Sequence, residues 1–247
     1  MLFIALALSS LIGVALGLLG GGGSILTLPI LTYVVGMNTK AAIASSLFVV
    51  AVTSAFGAVA HARAGRVRWR TGLLFGAAGM VGAFLGGRAA AYLPGRLLMV
   101  LFAAMMVATA VAMLRGRKAG GPAEVRELAV GKVLIEGVVV GLVTGIVGAG
   151  GGFLVVPALV LLGGLGMETA VGTSLVVIAM KSFAGFYGHL GHVDLDWRLT
   201  LLVTLFAVLG SFLGGRLAGK VPPTALRKGF GVFVLLMAAL VLSKELL

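Results

Sequence analysis

The segment LGLLGGGGSILTLPIL, residues 16–31, interrupts a long apolar stretch with four consecutive glycines. Glycine is a poor helix former and costs about 0.8–1 kcal/mol per residue relative to alanine. A second apolar stretch is interrupted in the same way by GIVGAGGGFLVVPALV, residues 145–160, and a proline follows both glycine runs at the same distance. The two stretches therefore predict two broken helices in one chain.

The composition indicates a protein embedded in the lipid bilayer. The 247 residues are 60% hydrophobic and only 11% charged, whereas a soluble domain is about 25% charged. The net charge of +12 arises from Lys and Arg that cluster between apolar runs, as the positive-inside rule expects of membrane loops. No nucleic-acid-binding motif accompanies these residues, so we expect no nucleic-acid partner. Cysteine is absent, which excludes thiol chemistry and cysteine-ligated metals.

The chain matches itself at a shift of 128 positions, without a gap over about eighty residues. The matched positions include glycines, prolines, histidines, Trp-Arg pairs and two copies of FLGGR at 84–88 and 212–216. Low complexity would not align all of these in one register. We therefore predict a first transmembrane repeat over residues 1–114, a polar linker over 115–129 and a second transmembrane repeat over 130–247.

Each half contains four apolar segments, about eight in all, and this predicts an all-α polytopic membrane protein. The segments cover residues 2–35, 41–61, 71–87, 97–114, 130–165, 168–189, 198–214 and 225–243. The first segment of each half is too long for one crossing, because about 34 helical residues span about 50 Å and the bilayer core is about 30 Å thick. A tilted broken helix, two short crossings and a re-entrant hairpin all remain compatible with the sequence.

Loop charge favours a first segment that returns to its starting side. With such a return, the Lys and Arg residues other than Lys181 divide thirteen to five between the two sides of the membrane, whereas a single crossing gives eleven to seven. The loop at residues 62–70 is strongly basic, but its repeat equivalent at 190–198 contains Asp194 and Asp196. Opposite charge bias in equivalent loops is expected of copies with opposite orientation. We therefore predict inverted repeats with both termini outside, an arrangement typical of secondary transporters.

The two glycine breaks predict a substrate site where they meet, near the membrane midplane. Irregular backbone at that depth is tolerated only where it is buried in protein or lines a cavity. A helix N-terminus supplies free N–H donors and partial positive charge, which suits an anion. The candidate substrate-binding residues of the breaks are Gly22, Gly23, Ser24, Gly150, Gly151 and Gly152. Close helix packing is the alternative role for glycine, and we prefer it for FLGGR and for GAAGMVGAFLGG at 76–87.

Three polar side chains within apolar segments extend the candidate site. Lys181 could offer an ammonium group to an anion, although its long side chain could also reach an interface. Its repeat equivalent is Thr53, so the fold itself does not require a charge there. Ser46 and Ser174 are equivalent hydroxyl donors next to the breaks. Their alternative role is hydrogen bonding to backbone carbonyls or between helices.

His61 and His189 lie at the ends of equivalent helices and are candidates for coupling protons to transport; capping of the helix C-terminus is the alternative. The seven acidic residues lie mostly in loops. The chain has no zinc-protease, nucleophile-elbow or Walker motif, so we expect neither an enzyme nor a metal or other cofactor.

The ordered set of motifs resembles the TauE/SafE family of bacterial membrane permeases. The set comprises the two glycine breaks, AIASSL and AVGTSL, HARAGRVRWR and GHVDLDWR, and FLGGR twice. The resemblance covers almost the whole chain and implies a multi-pass secondary transporter of the inner membrane that exports sulfite or related small sulfur-containing anions. A passive anion channel and a non-transporting membrane assembly protein are the alternatives. The sequence does not decide the substrate, the coupling ion or the oligomeric state.

Overall fold

A computed structural model of the protein describes residues 2–19, 22–115, 130–148, 152–162, 164–218 and 223–246. Within these ranges the regular structure consists of ten α-helices and short π-helical and 3-10 turns. The prediction of an all-helical chain is confirmed. Most of the predicted linker, residues 116–129, lies outside the described ranges.

The first half forms five helices and the second half repeats their order. The first five are α1 (Leu2–Leu19), α2 (Gly22–Pro29), α3 (Thr39–Arg63), α4 (Trp69–Ala90) and α5 (Gly95–Arg115). The second five are α6 (Val130–Val147), α7 (Gly152–Pro157), α8 (Met167–His189), α9 (Trp197–Ala218) and α10 (Pro223–Leu246). A 3-10 turn at Leu190–His192 extends α8. Each predicted apolar segment therefore corresponds to one helix or to one broken pair.

The short helices α2 and α7 both end at a proline and continue as π-helical turns, Ile30–Val34 after α2 and Ala158–Leu162 after α7. Proline has no N–H group and its ring crowds the carbonyl of the preceding turn, which disfavours regular α-helical bonding. After Pro29 the chain widens, and the Val35 N–H donates to the Ile30 carbonyl five residues back, at 3.0 Å. The matched prolines thus give both broken segments the same local form.

Among the described residues, four helices are long and apolar enough to cross a membrane: α3, α4, α8 with its 3-10 turn, and α9. Shorter apolar helices cover Ala7–Leu18, Ile25–Val34, Gly95–Val111 and Val133–Val147. The helices α3 and α8 are the most buried of the four long spans. They form the centre of the molecule, and the remaining helices pack around them.

The first broken segment doubles back on itself. Cα atoms of the Ile30–Val34 turn come within 8 Å of Cα atoms in α1. In a straight helix the eleven or more residues between these elements would separate them by at least about 16 Å. A single tilted helix through residues 2–34 is therefore excluded, and the glycine run joins two helices that lie side by side.

Helix α4 of the first half packs along α6 of the second half through glycines. A Cβ atom at Gly82 would overlap the Val138 carbonyl oxygen, and a Cβ atom at Gly86 would overlap the Leu142 carbonyl oxygen. Residue numbers rise together along this contact, so the two helices run in the same direction. Only a missing side chain allows backbones to approach so closely, which confirms packing as the role of these glycines.

The equivalent pair, α9 of the second half and α1 of the first, packs in the same way. A Cβ atom at Gly210 would overlap the Ser10 carbonyl oxygen, and one at Gly214 would overlap the Val14 carbonyl oxygen. The first helix of each half therefore lies along the fourth helix of the other half. This crosswise exchange makes each half depend on the other for burial of its own first helix.

The two central helices cross each other in opposite directions. Gly57 of α3 faces the side chain of Leu175 in α8, and Gly185 of α8 faces the side chain of Leu47 in α3. Residue numbers fall along one helix as they rise along the other. The contact also exchanges repeat-equivalent positions, because Gly57 corresponds to Gly185 and Leu47 to Leu175.

Candidate functional site

The two short helices that follow the glycine breaks meet each other: Cα atoms of α2 lie within 8 Å of Cα atoms of α7. Gly22, Gly23 and Ser24 form the first turn of α2. Gly152 begins α7 and is buried. Gly150 and Gly151 lie outside the described residues. The described part of each break thus contributes a helix start near the contact between the two halves.

Gly148 directly follows α6, just before the second glycine break, and lies against the central helix α3. Its backbone has a φ of +72°, in the left-handed region that favours glycine. A Cβ atom at this position would overlap the Ile43 side chain. Both the backbone conformation and the close approach therefore require glycine here. The second break is consequently seated on a helix of the first repeat.

Ser46 lies three residues after Ile43 and therefore on the same face of α3 as the contact with Gly148. Its side chain is fully buried. Among the described residues the structure gives Ser46 Oγ no hydrogen-bond partner. Such a buried hydroxyl is costly unless another group satisfies it. Ser46 is therefore a suitable donor to a ligand at the second break.

Ser174, the equivalent of Ser46 in α8, is also fully buried. Its Oγ donates to the Val171 carbonyl of the same helix at 2.7 Å. This is the backbone bonding that the sequence left open as the alternative role. The two equivalent serines therefore differ in their hydrogen bonding.

The Lys181 side chain lies in the protein interior and does not extend to an interface. It is 1% exposed, and its Nζ donates to Thr144 Oγ1 at 3.2 Å. Thr144 lies on the last turn of α6, and its carbonyl accepts the Gly148 N–H at 2.9 Å. The ammonium group is thus held beside the C-terminal end of α6, where the partial negative charge of the helix favours a cation.

Thr144 was not singled out by the sequence analysis. Its hydroxyl accepts from Lys181 and donates to the Gly141 carbonyl at 3.1 Å. Its repeat equivalent is Leu16, just as the equivalent of Lys181 is Thr53. A comparison of the two repeats could have identified Thr144. In the second repeat Thr144 stands in place of Leu16, and Lys181 stands in place of Thr53.

The two candidate proton-coupling histidines are buried at equivalent places but bond differently. His61 Nε2 lies 3.4 Å from the Gly17 carbonyl oxygen of α1. His189 Nδ1 lies 3.0 Å from the Gly185 carbonyl oxygen of its own helix. The second nitrogen of each ring, Nδ1 of His61 and Nε2 of His189, has no hydrogen-bond partner among the described residues.

The remaining hydroxyls include an interhelical link of the expected structural kind. Ser45 Oγ lies 3.0 Å from Thr200 Oγ1 in the contact between α3 and α9. This pair joins the two halves away from the Gly148 contact. Groups of three or more His, Asp or Glu side chains that could hold a metal ion do not occur within the described ranges.

Comparison with known proteins identifies the class. The family model described as "Sulfite exporter TauE/SafE" matches residues 5–241. A "Probable membrane transporter protein" of Xylella fastidiosa (strain 9a5c) is 34% identical over 250 residues, covering 99% of this chain and 96% of the relative. The "Probable membrane transporter protein YdhB" of Bacillus subtilis (strain 168) is 27% identical, covering 88% of this chain and 90% of the relative. No solved structure matches.

The helical architecture and these relatives define a membrane transporter, a multi-pass protein of the bacterial inner membrane. The chain belongs to the sulfite exporter TauE/SafE family. The resemblance that the motif order indicated is thereby confirmed.

Proposed function

We propose that this protein is a secondary transporter that exports small anions, sulfite or related sulfur-containing oxyanions and organosulfonates, by alternating access. The observation that carries the proposal is the fully buried Ser46 hydroxyl, which has no hydrogen-bond partner among the described residues and lies one turn from the contact of Ile43 with Gly148 at the second break. The family supports the transporter class and the substrate class. Transport needs no catalytic residue, so we propose that the chain is not an enzyme and takes no cofactor.

The two halves, residues 1–114 and 130–247, act in this proposal as inverted repeats joined by the linker at 115–129. The opposite directions of the repeat-equivalent helices α3 and α8 support this relation. The crosswise packing of α1 on α9 and α6 on α4 supports it too, because each repeat exchanges the same helix with the other. Rocking of one repeat against the other around a fixed site is the general basis of alternating access.

Backbone N–H groups at Gly22, Gly23, Gly150, Gly151 and Gly152 would hold the anion. The start of α2 at Gly22, its contact with α7 and the seating of Gly148 on α3 support a site between the two breaks. Ser24 would add a donor at the first turn of α2. Free N–H donors and the helix dipole give such a place its preference for negative charge.

Three side chains would complete the site, with different contributions. Ser46 would donate to the anion, because its buried hydroxyl needs an acceptor. Ser174 would do so after exchanging its bond to Val171. Lys181 would lower the electrostatic cost of an anion from its position beside the second break. A negative-inside potential would drive the anion outward, by about 2.3 kcal/mol per charge per 100 mV. His61 and His189 would couple protons to this movement.

Flux of labelled sulfite in proteoliposomes, at set membrane potential and pH gradient, tests the proposal. We expect saturable flux that thiosulfate and sulfoacetate inhibit. Ser46→Ala should raise the KM about 10-fold or more, because a hydrogen bond to a charged group is worth about 1.5–3 kcal/mol. Ser45→Ala is the matched control, since the neighbouring hydroxyl bonds to Thr200 away from the Gly148 contact.

Each outcome bears on one part of the proposal. Absence of flux with sulfite, thiosulfate and sulfoacetate alike would overturn the substrate class. Flux that rises linearly without saturation would indicate a passive channel in place of a carrier. An unchanged KM in Ser46→Ala, or an equal rise in both serine variants, would move the site away from the face of α3 that carries Ser46.

A further inference from the structure

An open apolar groove of about 350 Å³ runs between α3 and α8 on the outside of the molecule. Ala55, Ala58 and Ala62 line it from α3, and Ala179 and Met180 line it from α8. The volume lies at the lower end of the roughly 300–1,000 Å³ typical of ligand pockets. Small side chains on consecutive turns of α3 leave this space, so the groove is an elongated slot along the helix direction.

One end of the groove is strongly basic. Arg63 and Trp69 line that end, and both are exposed. Arg68, in the loop that follows α3, and Arg70, in the first turn of α4, are exposed as well. Among the described residues, the side chains of Arg63, Arg68 and Arg70 form no hydrogen bond or ion pair. Arg66, by contrast, pairs with Glu168, with 3.8 Å between Nε and Oε2. Tryptophan is enriched at the membrane–water boundary, which places the basic end at headgroup level.

The second repeat carries larger side chains at the equivalent positions. Phe183, Phe186 and Leu190 stand where the first repeat has Ala55, Ala58 and Ala62. Phe186 packs against Phe48 and Trp197 with ring centroids 5.3 and 6.1 Å apart. Arg63 is replaced there by Gly191, and the loop contains Asp194 and Asp196. The alanine slot and its basic end therefore belong to one repeat, whereas the equivalent positions of the other carry larger and acidic residues.

We propose that this groove binds one phospholipid with an anionic headgroup, its acyl chain in the alanine slot and its phosphate at Arg63. The apolar walls suit a hydrocarbon chain, and the unpaired arginines supply the charge complement. Basic pockets between membrane helices are a general means of holding anionic headgroups. The site is separate from the substrate site between the breaks, so the two proposals can fail independently.

Native mass spectrometry of the purified protein, released from micelles containing phosphatidylglycerol or phosphatidylethanolamine, tests the site. We expect retention of one lipid with a preference for phosphatidylglycerol. Arg63→Gln should reduce that preference about fivefold, the factor that corresponds to one basic side chain at an anionic membrane surface. Ala55→Phe/Ala62→Leu introduces the larger residues of the second repeat into the slot and should reduce retention of both lipids. Ala62→Leu alone provides a milder version if the double variant fails to fold.

Arg198→Gln is the matched control, because Arg198 is an exposed arginine that follows the equivalent tryptophan, Trp197, at the start of α9. It should leave the lipid preference unchanged. Equal retention of the two lipids by the wild-type protein would overturn the proposal, as would groove-filling variants that behave like wild type. A second protein copy is the rival occupant. Val59→Cys, at a 46% exposed groove residue of a cysteine-free chain, would then form disulfide dimers in membranes.

Discussion

Lys181 Nζ lies 3.2 Å from Thr144 Oγ1, in the buried contact between α8 and the last turn of α6. The repeat-equivalent positions hold Thr53 and Leu16. The two repeats therefore differ by one lysine and its hydroxyl partner. This pair lies beside the second glycine break and has no counterpart beside the first. A buried charge is costly, which makes it a functional-site hypothesis by default.

Replacement of this cation should separate transport from folding. In Lys181→Met we expect anion flux at fixed potential to fall at least about tenfold, because a hydrogen bond to a charged group contributes about 1.5–3 kcal/mol. The free energy of unfolding should be unchanged or raised, since an apolar residue of similar size often replaces a buried charge at no cost. Proteoliposome flux and thermal unfolding of the same preparation measure the two quantities.

The matched control is Thr53→Val at the repeat-equivalent position. Thr53 is fully buried and its Oγ1 has no hydrogen-bond partner among the described residues, so its loss should leave flux intact and stability equal or higher. If Lys181→Met transports as fast as the wild type, the lysine has a purely structural role in the contact of α8 with the end of α6.

Gly148→Ala should be among the most destabilising alanine substitutions at glycine. The left-handed backbone at φ +72° costs an alanine about 1–2 kcal/mol, and overlap with Ile43 adds about 1–3 kcal/mol. Gly36→Ala separates the two contributions, because Gly36 has φ +80° but no heavy atom within 4 Å of its Cβ position. The thermal unfolding temperature in detergent should therefore be clearly lower for Gly148→Ala than for Gly36→Ala. Equal losses would show that Ile43 moves away freely.

The helix contact between α4 and α6 gives a second packing prediction. Gly82→Ala places a methyl group against the Val138 carbonyl oxygen and should lower the free energy of unfolding by about 1–3 kcal/mol. Gly131→Ala in α6 meets nothing within 4 Å and should be neutral or stabilising by up to about 1 kcal/mol, through helix propensity. Circular dichroism during heating tests both variants, and a stable Gly82→Ala protein would contradict the observed helix separation.

The buried histidines can be replaced by amides that keep one hydrogen bond but do not titrate. His61→Gln retains a donor near Nε2 for the Gly17 carbonyl, and His189→Asn retains one near Nδ1 for the Gly185 carbonyl. If the histidines couple protons, flux should lose its response to a pH gradient and keep its response to membrane potential. Transport assays at fixed potential with varied pH gradient provide the measurement. A preserved pH response would leave the two histidines as helix-end capping groups.

Most helix positions could be predicted from the sequence because apolar length and breaker residues act locally. The predicted segment 41–61 is α3 at 39–63, two residues longer at each end. In the structure Asn38 caps the start of α3, because its Oδ1 accepts the Lys40 N–H at 3.0 Å. The segment predicted at 225–243 begins at Pro223, a residue favoured at the first helical position.

The candidate site could be predicted only in part. Lys181 was identified because a charge in an apolar run is visible without a fold. Its partner Thr144 was missed, because a threonine in a membrane helix is common and gains importance only from the residue that reaches it. The direction of the Lys181 side chain also required the structure, since the same sequence position permits an interfacial or an interior ammonium.

The sequence by itself determined the membrane class, the two glycine breaks and the register of the duplication, because hydropathy, helix propensity and proline chemistry depend on neighbouring residues alone. The tertiary structure decided that α1 packs on α9 and α6 on α4, that the two short helices meet, and that a slot opens at Ala55 and Ala58. These features depend on contacts between residues more than fifty positions apart. Whether a glycine or alanine gives a close helix contact or an open groove depends on the side chains of the opposing helix.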